Sequence, residues 1–86
     1  MADGGQRLDQ WLWFARIVRT RVLAAALVRA GSVRVNGRHV DQPARRVQPG
    51  DVLTIGRERD VLVLEIAACA PRRGPASAAR MLYKAV

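Results

Sequence analysis

Apolar residues recur at helical spacing from Leu8: Leu8, Trp11, Leu12, Ala15 and Val18 fall at i, i+3, i+4, i+7 and i+10. Trp13, Phe14 and Ile17 lie on the opposite side. The pattern predicts a first helix over residues 8–18 that is apolar almost all round and must be covered on two sides. Arg19-Thr20-Arg21 interrupts it, and Thr20 is placed to cap a second helix from Arg21 to about Ala30. Val22, Leu23, Ala26, Leu27 and Ala30 form the expected buried stripe of that helix. Arg21, Ala25 and Arg29 follow one i, i+4, i+8 ridge, with a small residue between two cations. Gly31 is expected to end the helix as a left-handed cap.

The period then changes to two. Val33 and Val35 share a face while Arg34 points the other way, and Asn36-Gly37 predicts a tight hairpin because both residues tolerate positive φ. Arg38 to Val40 returns. Residues 41–48 read as a loop carrying Pro43 and the pair Arg45-Arg46, and Pro49-Gly50 as a turn. Val52 to Ile55 and Val61 to Ile66 read as strands around a charged turn. After the basic break 71–75, Ala76 to Lys84 is predicted to form a short helix with Ala78, Met81 and Leu82 as its apolar edge. That edge matches the uncovered side of the first helix, so it is expected to bury Trp13 and leave Arg80 and Lys84 outward. The fold class expected is α+β: two N-terminal helices packed on a small antiparallel sheet, with a short C-terminal helix. The expected organisation is a disordered start at 1–6, one domain over 7–70 and a basic extension over 71–86.

Charge changes the picture from fold to function. The 86 residues carry 15 Lys+Arg against 7 Asp+Glu, a net charge of +8. Nine basic and three acidic residues fall at or before Arg46, so the excess sits in the first half. Clustered positive charge on a small domain favours a polyanion over an apolar partner. Only four residues are aromatic, and single-strand binders present stacking platforms. Helical or folded RNA read by shape and backbone is therefore the expected partner. The Thr20 hydroxyl and the amides at the start of the second helix are candidate phosphate donors.

Catalysis finds no support. His39 is the sole histidine and falls on the hairpin, Ser32 and Ser77 lack a base, and Asp41, Asp51 and Asp60 sit at turns. No Gly-rich phosphate loop and no Cys/His cluster is present, so no enzyme activity, cofactor, metal or small-molecule substrate is expected. The single Cys69, among alanines, excludes an internal disulfide and reads as a small filler in a reducing cytoplasm. No leader pattern and no apolar run near the ~18 residues of a membrane span occurs. A cytoplasmic monomer without membrane attachment is expected.

Taken in order, Arg7-Leu8-Asp9, Trp11-Leu12-Trp13, Arg19-Thr20-Arg21, the run Gly31 to Gly37, and Pro49-Gly50-Asp51-Val52-Leu53 resemble the S4 RNA-binding domain, or αL motif. The resemblance runs from about Arg7 to Ile66. Leu8 to Trp13, and Arg72-Arg73-Gly74-Pro75-Ala76 leading to Leu82-Tyr83, are similar to the bacterial ribosome-associated heat shock protein 15 class. Members of that class continue into a longer basic tail, whereas this sequence ends at Val86. The resemblance implies binding to large-subunit ribosomal RNA or the ribosome, in a heat-shock-linked rescue or recycling role. Carried onto this sequence, the RNA-facing positions it implies are Arg7, Arg16, Arg19, Thr20, Arg21, Arg29, Arg34, Asn36, Gly37 and Arg38. Two other readings stay open. One is a targeting domain of a larger RNA-modifying enzyme. The other is a protein-interaction module docking through Trp13, Phe14 and Ile17.

Overall fold

The computed structural model describes residues 5–86. The element order is β1 (Gln6–Arg7), α1 (Leu8–Phe14), α2 (Arg21–Arg29), β2 (Val33–Val35), β3 (Arg38–Val40), β4 (Arg46–Val47), β5 (Val52–Gly56), β6 (Val61–Ile66), α3 (Ala76–Arg80) and β7 (Tyr83–Ala85). The architecture is α+β, as the pattern predicts. A five-stranded antiparallel sheet has the order β3-β2-β5-β6-β7, and β1 pairs with β4 as a separate two-stranded ladder. One face of the large sheet supplies Val33, Val35, Leu53, Ile55, Leu64 and Ile66 to the core. The helices supply Leu8, Trp11, Leu12, Ala24 and Val28, and all of these are buried. The Trp11 indole N–H donates to the Ala68 carbonyl at 3.0 Å, so its one polar atom is satisfied.

The first helix is shorter than its pattern. It stops at Phe14 because Arg16 takes a left-handed backbone, φ 59°. The Arg16 N–H donates to Trp13 O and the Ile17 N–H to Leu12 O, both at 3.0 Å. This is a Schellman closure with arginine in the glycine position. The periodicity continues to Val18 because Ile17 and Val18 still pack on the core after the chain has turned. A second closure of the same kind ends α2 at Gly31, φ 80°, as expected. The Thr20 cap is also as expected, its Oγ1 accepting from the Leu23 N–H at 3.1 Å.

The second helix presents a different face from the one expected. Ala24 and Val28 are fully buried, Leu27 is half-buried, Val22 and Leu23 are exposed by 78% and 51%, and Ala26 and Ala30 are exposed. Small Ala24 is the residue that meets the core, and Arg21 lies 3.6 Å from the buried Asp9 carboxylate on α1. Hydrophobicity alone ranks leucine above alanine and so points at the wrong stripe.

Residues 1–4, most of the segment expected to be disordered, lie outside those described. Gln6 is corrected: it is buried in β1 opposite Val47, its Nε2 donating to Ala70 O at 2.9 Å and its Oε1 accepting from Ala70 N at 3.2 Å. The C-terminal helix is corrected too. It ends at Arg80, and Tyr83–Ala85 covers the otherwise open edge of β6. Ala79 and Leu82 face inward, whereas Ala78 and Met81 are exposed. Leu82 and Phe14 line one open apolar hollow of about 240 Å³. Trp13 is only half-buried, and its cover is Arg73, whose guanidinium carbon lies 5.4 Å from the ring centroid. Arg80 and Lys84 are exposed, and Lys84 approaches Glu65 at 4.0 Å.

Candidate nucleic-acid interface

A buried acid organises the cations where α1 starts. Asp9 is only 3% exposed. It accepts from Arg7 Nε and Nη2, each at 3.1 Å, from the Gln10 N–H at 2.8 Å, and lies 3.6 Å from Arg21 Nε. Burial pushes the Asp9 carboxyl up. The Arg7 hydrogen bond, the Gln10 amide and the charges of Arg7 and Arg21 outweigh that and hold it below the usual carboxylate range. Both arginine side chains are 42% exposed, and each has N–H donors that Asp9 does not use. One carboxylate against two arginines leaves a net positive site, with Arg7 held by two hydrogen bonds and Arg21 by charge alone.

The helix start itself offers no anion site. The Leu8 N–H donates to Arg45 O at 2.9 Å and the Asp9 N–H to Pro43 O at 3.1 Å, so the loop 43–47 consumes the donors at the α1 terminus. That loop also carries Arg46, whose Cα is the ladder partner of Arg7. Gln6 and Val47 face inward from this ladder, and Arg7 and Arg46 face outward. Arg45 and Arg46 line an open polar cleft of about 370 Å³ together with Asn36, Gln48 and Asp51. Arg45 and Arg46 fall in an expected loop and are not among the positions the sequence assigns to the site. The dipeptide was the only local signal, and its pairing with Arg7 is a long-range fact.

The other expected positions fall into separate groups. Arg16 Nε and Nη2 donate to Gly74 O at 3.3 and 3.0 Å, and Arg73 Nε donates to Trp13 O at 3.3 Å. These bonds strap the segment before α3 across the end of α1. Arg19 is exposed near Leu23 and Arg57, Thr20 is exposed at its cap, and Arg29 is exposed in the last turn of α2, where a cation suits the helix dipole.

The hairpin is built as expected, with Asn36 at φ 52° and Gly37 at φ 81°. The Asn36 side chain, however, is engaged within the turn region: its Nδ2 donates to Asp51 Oδ1 at 3.0 Å and its Oδ1 accepts from Val52 N at 2.9 Å. It shapes the turn. Gly37 is open, with nothing within 4 Å of an added Cβ. Arg34 pairs with His39 and Thr54 on the sheet face away from the helices, so it does not join Arg7 and Arg21 on one surface. Arg38 lies opposite Val35, on the helix-side face at the sheet edge, and is exposed. His39 is exposed, its Nε2 3.0 Å from Gly31 O.

Of the three residues of the docking reading, Phe14 is buried, while Trp13, with Arg73 over its ring, and Ile17 are half-buried, so little apolar surface is left open there. Cys69 is half-buried with Sγ 3.9 Å from Val47 O, and burial followed by the Asp51 charge pushes its thiol up, as befits an inert filler. Among the described residues no three His, Cys, Asp or Glu side chains converge as a metal site, and no helix is long and apolar enough to cross a membrane.

Comparison with known proteins adds independent findings. Residues 6–53 match the S4 domain model. The chain is 37% identical over 78 residues to heat shock protein 15 of Escherichia coli strain K12, covering 91% of this chain and 58% of that protein. It is 42% identical over 72 residues to small ribosomal subunit protein uS4 of a Chelativorans species, covering 80% of this chain and 35% of that one. A trimeric structure of heat shock protein 15 from Vibrio cholerae superposes with a TM-score of 0.88 at 34% identity, covering 95% of this chain and 82% of that one.

Proposed function

This chain belongs to the S4 domain family, in its heat shock protein 15 class, and on that footing we propose that it binds structured RNA on the ribosome. The observation that carries the reading is the Asp9-held pair Arg7 and Arg21. It is a preset, half-exposed cationic site inside the segment that matches the S4 domain. Phosphate contacts of this kind position a protein on a folded RNA without reading sequence. Of the four aromatic side chains Trp11 and Phe14 are buried and Trp13 and Tyr83 half-buried, which supports a helical RNA target over a single strand.

The finer reading is large-subunit ribosomal RNA, in a heat-shock-linked rescue or recycling role, by a cytoplasmic protein that binds as a monomer and catalyses nothing. The heat-shock link rests on similarity to heat shock protein 15, whereas the solved relative from Vibrio cholerae is trimeric, so the monomer rests on the sequence reading alone. Crosslinking in cells followed by sequencing of the bound RNA tests it. The expected result is reads concentrated on large-subunit ribosomal RNA. Reads dominated by transfer RNA would favour a targeting domain of a modifying enzyme, and an absence of crosslinked RNA would overturn the reading. Light scattering of the free protein tests the monomer.

A further inference from the structure

Arg46 stands directly opposite Arg7 on the exposed face of the β1–β4 ladder. Direct partners in an antiparallel pair hold their Cβ atoms about 4.5–5.5 Å apart, and like charges there repel. Arg7 is offset by Asp9. Arg46 has no acidic partner among the described residues. Arg7, Arg21 and Arg46 thus outnumber Asp9 and the cleft's Asp51, which is already engaged by Asn36 Nδ2 and Gln48 N, and the backbone of Arg46 is fixed in place. Leu8 N and Asp9 N hold the backbone of the 43–47 segment, so Arg46 cannot drift away from Arg7 without breaking α1's own capping bonds. Such a surplus is relieved by an anion that fits between guanidinium groups.

Resting on the RNA-binding reading, we propose that Arg7, Arg21 and Arg46 form a single phosphodiester site of the bound RNA, in which Asp9 is the positioning residue and Arg46 the third cation. Asp9 grips the Arg7 fork through two hydrogen bonds and draws Arg21 by charge at 3.6 Å. Arg46 then extends the site into the polar cleft beside Asn36. This joins the start of α1 and α2 to the hairpin turn by a path that avoids Arg34.

The role of Asp9 has an unusual sign. Asp9→Asn makes the protein more positive, so bulk electrostatics demands tighter binding to a polyanion. A positioning role demands weaker binding, by about threefold or more, because Arg7 loses the grip on its fork and Arg21 the charge that draws it. The experiment is fluorescence anisotropy with a labelled RNA hairpin bearing an A-form stem, titrated at several salt concentrations. Arg46→Gln is expected to weaken binding about tenfold, the scale of one charged contact. It should also make the slope of log K on log salt shallower by ~0.7–0.9. Arg59→Gln, which removes the same charge on the far β5–β6 turn, is expected to change affinity less than twofold. Equal effects of Arg46→Gln and Arg59→Gln overturn the proposal, as does tighter binding by folded Asp9→Asn. If Asp9→Asn melts below the assay temperature, Arg7→Lys decides in its place. It keeps the charge but loses the two-nitrogen grip on Asp9, and unchanged affinity counts against the site. Loss of binding in Arg21→Ala with none in Arg46→Gln overturns this proposal alone. Failure of the wild-type chain to bind RNA overturns the proposed function.

Discussion

Leu82→Ala and Met81→Ala separate two accounts of the tail. If the helix ran from Ala76 to Lys84, both side chains would belong to one apolar edge. In the structure α3 ends at Arg80, Leu82 is 8% exposed and Met81 is 75% exposed. Truncating a buried leucine costs roughly 2–5 kcal/mol, and the value rises with the cavity that remains. The hollow beside Leu82 is open and bounded by Phe14, Pro75 and Ala79. It can therefore relax, which places the cost near ~2–3 kcal/mol. A domain of this size loses about 4–8 °C of Tm per kcal/mol, so Leu82→Ala should melt roughly 10–20 °C lower. Met81→Ala should fall within ~0.5 kcal/mol of wild type, as surface changes do. The backbone bonds from Ala67 N and Ala68 N to Leu82 O survive either change, so the comparison isolates the side chain. Circular-dichroism melts of the two variants in one buffer decide the matter. Equal losses, or a larger loss for Met81→Ala, would refute the placement of the tail.

Other expectations follow from single contacts. Gly31→Ala should cost more than Gly37→Ala in thermal melts. Both force alanine into a left-handed backbone at ~1–2 kcal/mol, but only at Gly31 does the new Cβ fall 2.6 Å from His39 Nε2. In a His39→Ala background the two costs should converge. Arg21→Ala and Arg29→Ala should each weaken RNA binding by about 1–3 kcal/mol. Arg57→Ala should do almost nothing, since Arg57 is spent on Asp60 at 2.7 Å in the far turn. Stability should fall with acid. Asp9 has its folded-state carboxyl held low, so its contribution is complete above the ordinary carboxylate range and is lost as pH drops through the lowered value. Asp9→Asn should flatten that part of a pH–Tm profile, leaving the share of Asp60, which is also held low.

Features set by neighbours in sequence were legible before any coordinates. The Thr20 cap, the Gly31 stop, the Asn36-Gly37 hairpin and the strands around Leu53 and Leu64 all follow from local backbone chemistry and period. What escaped depends on distant partners. Arg16 adopts a conformation that sequence rules reserve for glycine, because the packing of Ile17 onto the core fixes the turn. The two-residue strands β1 and β4 exist only through each other. Tyr83–Ala85 became a strand because β6 had a free edge. The buried face of α2 is carried by Ala24 and Val28, and a hydrophobic count weighs alanine too little to find it. The candidate site follows the same division. Arg7 and Arg21 could be read from the chain, but Asp9 as their organiser and Arg46 as their neighbour could not.

The central claim is that a defined basic surface holds RNA through its phosphates. The most direct test is the affinity of the intact chain for large-subunit ribosomal RNA across a salt series. With ~5 arginine–phosphate contacts, log K should fall against log salt with a slope of roughly −3.5 to −4.5. Binding that does not depend on salt, or no binding at all, would contradict the account.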